Sequence, residues 1–543
     1  MNDGFFSNNM NALESVSPHL AERLRWAVES DHIRQASDGS LMYWLHSAYL
    51  PLAVAPEAIQ QLLPEQRKGT MLLYGAGLGE LAEAWMDSGG EAVSVWERDP
   101  FIFRLMLAQR DWSVEITSGR LRLYLGIDLL TLRHEQRDSV VAHPLLGHVY
   151  RNELVLLAEA EAKPVALVAD GGLFVEDVSD ALRGEGFAVY TIDLSRLSLE
   201  EITETVQRSE PKLLFRVNHL EGLAAFSEQS QLPTIEWEVD PSLTRICSAP
   251  PSSERTTVCT WRRKHVDTFR SAGFFNVHYL PLATNPTRRR LTPVPPEEKS
   301  TYEASISFVG ASMADRTQSL RDDFARAWDS CFSHRTGEGY RVLDDILQEQ
   351  RQDLSAYRIP EIVARRAPGL AVQLGELEPE LIAGELAAAE RRISYIQRLV
   401  PLGVKVWGDS GWRQVPGLSY QGPAEHGVTI NKIYSNTLIN IDLGRLYQLD
   451  IVTMRVFDIL ACGGFVLAEH SDALAELFVV GEEIDSWRTP DELVDKVDWY
   501  LNNRAVAVAM AQRGCRAVSE RHTIQQRVRM MLKLSGVGAV ARV

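Results

Sequence analysis

The stretch from Asn431 to Phe478, NKIYSNTLINIDLGRLYQLDIVTMRVFDILACGGFVLAEHSDALAELF, reads as helix, strand, loop, helix, strand, loop, helix. Leu438 to Ile441 is a short apolar run of the kind a buried strand needs. A polar loop follows, and Met454 to Leu460 opens a helix that Cys462-Gly463-Gly464 closes. Phe465 to Leu467 supplies the next strand. Strands that alternate with helices are joined by crossovers, so the pattern predicts a parallel sheet with ligands beyond the strand C-terminal ends.

The same grammar recurs upstream. Met71 to Tyr74 is a strand, Gly75-Ala76-Gly77-Leu78-Gly79 a glycine turn, Glu80 to Ser88 a helix, and Ala92 to Trp96 a second strand ending in Glu97. Glycines let a backbone turn tightly against a ligand, and an acidic residue at the next strand end can take ribose hydroxyls. Dinucleotide-dependent oxidoreductases and S-adenosylmethionine-dependent methyltransferases share this arrangement. The strand ending at Leu125-Gly126-Ile127-Asp128 fits the methyltransferase version better. No catalytic set follows it, since Asp170-Gly171-Gly172 is a strand-end turn, so a retained scaffold is the competing reading. Gly75, Gly77, Gly79 and Glu97 are the candidate nucleotide-binding residues here.

Further short apolar strands are expected at Val165–Val168, Ala188–Ile192, Leu213–Val217, Val258–Trp261 and His278–Ala283, and a proline- and arginine-rich linker at Asn285–Lys299. Another strand and glycine turn open at Ala304–Gly310, and another at Val404–Asp409. The expected organisation is a helical segment over 1–68, a Rossmann-like domain over 69–163, a second over 164–298 and a third over 299–534. A helical insertion without a readable motif fills 319–397.

With 543 residues, 45% hydrophobic and 24% charged, the chain has the composition of a globular protein of several domains. A formal net charge of −17 argues against nucleic acid as a partner and against adhesion to anionic membranes. No apolar run reaches the length of a membrane span, and the N-terminus lacks a signal-peptide pattern. Five cysteines, at 247, 259, 331, 462 and 515, show no metal-ligand spacing, so a reduced, cytoplasmic protein without a metal is expected. The oligomeric state is not legible.

Candidate chemistry sits at predicted strand ends. A helix starting near Thr453 points its amides at a bound anion, Arg455 can add a bidentate phosphate contact, and Asp458 can accept from sugar hydroxyls. The alternative is an Arg455–Asp458 pair on a solvated helix face. His219, after the strand Leu213–Val217, and Asp240, before Pro241, can each act as base toward an acceptor hydroxyl. Their alternatives are a hydrogen-bonded structural histidine and a turn carboxylate.

The run Met454-Arg455-Val456-Phe457-Asp458-Ile459-Leu460-Ala461-Cys462-Gly463-Gly464-Phe465 resembles the C-terminal half of GT-B glycosyltransferases, in particular the spore-maturation CgeB-like group. The resemblance spans Leu213 to Leu534. It implies two Rossmann-like domains facing a cleft, preceded here by the methyltransferase-like α/β domain, which is similar to a module of bacterial motility-associated glycosylation proteins. Retaining members often carry two glutamates separated by seven residues; Asp450 and Asp458 hold that spacing, as aspartates. The resemblance further implies that Gly310 lies beside the donor diphosphate, with Arg316, Lys432 and Arg455 as its cations. Tyr434 and Lys432 would flank the nucleotide pocket, Asp458 would hold the ribose and Asp450 the sugar hydroxyls. A surface arginine paired with Asp315 or Asp322 is the other reading of Arg316. The expected activity is metal-independent transfer from a UDP-, GDP- or dTDP-sugar to a protein, flagellin among them, or to a surface-glycan precursor. A methyltransferase with a GT-B-like binding module and a non-catalytic scaffold are the alternatives.

Overall fold

Val165–Ala169 is apolar throughout and Leu213–Val217 almost so, and such runs are stable only when helices cover both faces of a sheet. The computed structural model, which describes residues 3–45, 48–65, 69–132, 138–158, 163–240, 254–370, 379–425 and 427–538, arranges them that way. Helices Asp3–Val16 and Pro18–Arg25 lead into a small antiparallel sheet of β1 (Ile33–Gln35), β2 (Leu41–Leu45) and β3 (Ala48–Pro51). This corrects the helical reading of residues 1–68. Trp44 faces Tyr49 across the hairpin with ring centroids 4.8 Å apart, and cross-strand aromatic pairs of this kind favour a ladder over a helix.

Three parallel sheets follow. The first contains β4 (Thr70–Tyr74), β5 (Ala92–Glu97), β6 (Leu121–Leu125) and β7 (Ser139–Ala142), in the order β6-β5-β4-β7. The second contains β8 (Val165–Ala169), β9 (Ala188–Ile192), β10 (Leu213–Val217), β11 (Thr234–Glu238), β12 (Thr256–Thr260) and β13 (Asn276–Tyr279), ordered β13-β12-β11-β10-β8-β9. The strand expected at His278–Ala283 thus ends at Tyr279, ahead of Pro281. The third contains β14 (Ala304–Val309), β15 (Lys405–Trp407), β16 (Ser419–Tyr420), β17 (Thr437–Asp442), β18 (Val466–Glu469) and β19 (Asp485–Trp487), ordered β16-β15-β14-β17-β18-β19. In each, the chain leaves the first strand toward one edge and later returns to its other side. The crevice at that reversal is where doubly wound sheets bind ligands.

The strand C-terminal ends of the second and third sheets face one another, the GT-B arrangement. Arg262, just past β12, donates to Asp450 (2.7 Å) and to the Tyr447 carbonyl (2.7 Å), both beyond β17. Helices Thr317–Cys331, Gly339–Gln350, Ile359–Arg366 and Pro379–Leu399 form a layer with its own core between β14 and β15. The last helix, Ile524–Leu534, returns to the second sheet and lies on helix Val175–Gly184. There Arg529 pairs with Glu185 (2.8 Å) and Gln525 donates to it (2.6 Å).

The N-terminal domain is fused to the second sheet rather than tethered. One apolar core runs from Leu13 through Trp85 and Trp96 to Tyr190, Ile192 and Leu214. Ion pairs cross the same boundary: Arg98, itself held by Glu153 (3.2 Å), reaches Asp170 (3.0 Å), Arg196 pairs with Asp99 (2.7 Å), and Arg23 with Glu201 (2.7 Å). Among the described residues no helix is long and apolar enough to cross a membrane.

Candidate functional site

The third sheet reverses between β14 and β17, so the loops beginning at Gly310 and Leu443 frame the crevice. Gly310 is tightly packed. A Cβ there would lie 3.0 Å from the Phe308 ring and 3.3 Å from Arg455 Nη2, and one on Gly408 would fall 2.1 Å from the Gly310 carbonyl oxygen. Asp409 accepts from the Ser312 (3.0 Å) and Met313 (3.2 Å) amides and fixes the loop, with Met313 at a φ of 67°.

Arg455, in the first turn of helix Met454–Ala461, donates to Asp442 (2.7 Å) at the end of β17. Thr453 gives its hydroxyl to the same carboxylate (2.8 Å) instead of capping the helix, so the first-turn amides take no side-chain cap. The pairing of Arg455 with Asp458 weighed from the sequence is replaced by this strand-end pairing. Arg455 stacks over one side of Phe308 (5.2 Å to the ring centre), and a second arginine, Arg392, also lies over that ring (5.8 Å).

Helix Pro379–Leu399 crosses the C-terminal ends of the strands and delivers three charged groups there. Arg391 donates to Glu469 at the end of β18 (3.2 Å through Nη1) and to the Leu354 carbonyl (2.7 Å). Arg392 donates to the Ala311 carbonyl (2.7 Å) after β14 and the Leu443 carbonyl (3.2 Å) after β17, joining the two loops. Glu385 accepts from Arg445 (3.0 Å) and from the Tyr447 hydroxyl. Arg392 is 5% exposed, and burial, with Arg455 and Arg445 beside it, pushes its guanidinium down to about 9. Arg445 stays above the ordinary arginine value: burial lowers it, but Tyr447, Glu385 and Asp240 outweigh that. Asp240, two residues past β11, thus contributes its negative charge at Arg445 from the facing domain.

The remaining predicted residues are distributed elsewhere. Asp450 is bound on both oxygens by Arg262 (2.7 and 3.2 Å), with Lys264 3.6 Å away, so it closes the two domains on each other. Burial pushes its carboxyl toward the protonated form, and Arg262 more than reverses this, holding the carboxyl below its usual pKa. Asp458 is buried and accepts from Thr284 (2.5 Å) and Arg289 (3.0 Å), facing the linker rather than the crevice. Lys432 pairs with Glu298 (2.5 Å) over the Tyr302 ring, again on the linker side. Tyr434 is buried, and burial holds its hydroxyl above the usual value. Arg316 is exposed in a short turn, while its neighbour Asp315 accepts from Ser410.

His219 does not reach the cleft. Its side chain is 4% exposed, its Nδ1 meets Glu236 (2.5 Å), and Phe269 and Phe274 close edge-on around the ring. Asn218, at a φ of 66°, turns the chain there and accepts from the Val239 (3.0 Å) and Asp240 (3.1 Å) amides, which fixes Asp240 at the strand end.

In the N-terminal domain the glycine turn is filled from within. Gly75, Gly77 and Gly79 all have positive φ, but a Cβ on Gly77 would lie 2.5 Å from the His143 ring and one on Gly75 2.8 Å from Leu146 Cβ. Glu97 is fully buried and accepts from the amides of Ala76 (2.8 Å), Arg98 (2.8 Å) and Asp99 (2.9 Å) and from the Tyr150 hydroxyl. Burial pushes its carboxyl up to about 7. The carboxylate expected to hold a ribose is thus already committed to the fold.

Arg262, Glu385, Arg392, Arg445 and Tyr447 escaped the sequence reading. The signal for Arg392 was its place on one helical stripe with Ala388, Tyr395 and Leu399, all buried: a cation inside an apolar stripe has a partner or a ligand to meet. Among the described residues no group of three or more metal-ligating side chains comes together.

Residues 386–533, which include the Arg391–Arg392 pair, Arg445 and helix Met454–Ala461, match the family described as glycosyl transferase-like. This part of the chain is a glycosyltransferase-type domain. No curated protein matches the chain. Among solved structures it is similar to sucrose-phosphate synthase from Thermosynechococcus elongatus, at 13% identity and a TM-score of 0.39, over 69% of this chain and 99% of that one. It is similar also to a glycosyltransferase from Rickettsia africae, at 10% identity and a TM-score of 0.41, over 69% and 99%. A third is Anabaena HepE in complex with UDP and glucose, at 12% identity and a TM-score of 0.38, over 68% and 99%. The likeness is loose at these scores; what marks the glycosyltransferase-type domain is the family match over residues 386–533.

Proposed function

We propose that the chain moves a sugar from a nucleoside-diphosphate sugar to a hydroxyl of a protein or surface-glycan acceptor, in the manner of the CgeB-like group. The observation that carries this is the pair of cations at the sheet reversal. Arg455 and Arg445 stand beyond the end of β17, beside the uncapped start of helix Met454–Ala461. A leaving diphosphate needs fixed positive charge where negative charge develops, and arginine forks beside helix-start amides supply it without reorganisation. In this reading donor binding falls to Arg455 and Arg445, and transfer proceeds without a metal.

Asp240 is the favoured base toward the acceptor. It belongs to the facing domain, its backbone is fixed by Asn218, and its charge is felt at Arg445. An acceptor hydroxyl between the two would lose its proton to Asp240 as the sugar–phosphate bond breaks on the arginine side. His219, enclosed by Phe269 and Phe274, drops out of this role. The N-terminal domain is assigned a structural role, because His143 and Leu146 fill its glycine turn.

The test is calorimetric titration with UDP-, GDP- and dTDP-sugars. Arg455→Ala and Arg445→Ala should each weaken donor binding at least tenfold while still melting cooperatively, as expected for charge-assisted contacts of ~1.5–3 kcal/mol, with the larger stability loss at Arg455, whose partner Asp442 is buried. Asp240→Asn should keep donor binding and lose transfer. If both arginine variants bind donor like the wild type, the site lies elsewhere. A melting-temperature rise with S-adenosylmethionine alone would move the chemistry to the N-terminal domain.

A further inference from the structure

We infer that Arg392, on the inserted helix Pro379–Leu399, is the buried third cation of a pyrophosphate pocket. Together with Arg455 and Arg445 it would make the helical layer part of the donor site. The inference rests on the glycosyl-transfer reading for its biological ligand but not for its chemistry.

Three observations converge on it. Arg392 ties the loops after β14 and β17 through the Ala311 and Leu443 carbonyls, so its guanidinium lies across the sheet reversal where an anion would sit. It makes no ion pair among the described residues, although arginine is almost never this buried without one. Its Nε–H is buried without a hydrogen-bond partner, a group whose desolvation is uncompensated as it stands. The neighbours sharpen the imbalance. Arg455 is paired with Asp442 and Arg445 with Glu385, whereas Arg392, between them, feels Asp442 only at a distance and pairs with neither carboxylate. Arg391, the next residue, takes Glu469 for itself. A single phosphate satisfies one arginine fork. Three guanidiniums spread over one loop and two helices suit the extended, multiply charged pyrophosphate group shared by nucleoside diphosphates and free pyrophosphate.

The experiment titrates wild type, Arg392→Met and Arg392→Lys with inorganic pyrophosphate, inorganic phosphate and UDP, with melting temperatures taken in parallel. Pyrophosphate should bind wild type at least tenfold more tightly than phosphate and should compete with UDP. Arg392→Met should weaken pyrophosphate and UDP together, by tenfold or more, while staying folded, and Arg392→Lys should recover part of the loss. Pyrophosphate binding unchanged in a folded Arg392→Met would overturn the inference. Should that variant not fold, the wild-type titration decides: no pyrophosphate binding at millimolar concentration, or equal affinity for phosphate, also overturns it. The two readings fail separately. Pyrophosphate binding that depends on Arg392 without turnover of any nucleotide sugar would leave the pocket standing and remove the transferase. Turnover indifferent to Arg392 would do the reverse.

Discussion

At the residue scale the molecule is shaped by a few side chains that occupy places reserved for ligands in other doubly wound sheets. His143 is the clearest. Its Nδ1 accepts from the Leu145 and Leu146 amides (3.2 Å each), which leaves Nε2–H to face the Leu52 carbonyl (3.1 Å). A proton on Nδ1 would meet two donors, and burial further pushes the imidazole down to about 4. A depressed folded value means that stability is present above the unfolded value near 6.5 and is lost as pH falls toward 4. The loss from this group approaches ~3 kcal/mol. The unfolding midpoint in urea should therefore drop between pH 7 and pH 4.5, and His143→Gln should flatten that drop; parallel wild-type and variant curves would disprove the assignment. Gly77→Ala should destabilise by ~1–3 kcal/mol, seen as a lower melting temperature, since φ is 55° and the new methyl would strike the His143 ring.

At the element scale the helix Pro379–Leu399 and the last helix do most of the organising. Arg391 and Glu469 are both largely buried, and burial raises the Glu469 carboxyl while Arg391 opposes it. Arg391→Met would leave Glu469 unpaired at the strand ends and should cost ~3–5 kcal/mol, read as a melting-temperature loss, with Glu469→Gln added to Arg391→Met recovering part of it. The last helix begins with a reciprocal cap in which Thr523 N–H meets Gln526 (3.0 Å) and Thr523 Oγ1 takes the Gln526 amide (3.2 Å). Elements of this kind were readable to different degrees. Strand–glycine–helix units such as Thr70–Asp87 were legible because apolar runs and glycines are local signals. The strand pair Leu41–Leu45 and Ala48–Pro51 was not, because its ladder depends on which aromatic meets which on the facing strand. The crevice was half legible. Arg455 stood in a motif, whereas Arg392 and Glu385 lie in an alanine-rich helix whose role depends on where it crosses a sheet. Asp450 and Asp458 had the right spacing, and yet Arg262 and the linker's Arg289 claim them, partners that no spacing discloses.

At the scale of the whole molecule, three doubly wound sheets share cores rather than standing as beads. A fragment beginning at residue 163 would bare Tyr190, Ile192 and Leu214 and strip Glu201 and Asp170 of Arg23 and Arg98. Such a fragment should aggregate, and a monodisperse, cooperatively melting 163–538 would show the fusion to be dispensable. The return of the last helix ties the chain over an even longer reach, because Arg529 and Gln525 seal a face that begins at Glu185 and helix Val175–Gly184. During synthesis that face is made first and its cover much later. At ~5–20 residues per second, some 340 residues separate the two events by about 17–70 s on the ribosome. For that interval the nascent second sheet shows water an apolar flank that only helix Ile524–Leu534 can close. Chaperone demand should therefore persist until that helix is made, and a ribosome stalled just short of Thr523 should hold a chain whose second sheet is formed and still sticky.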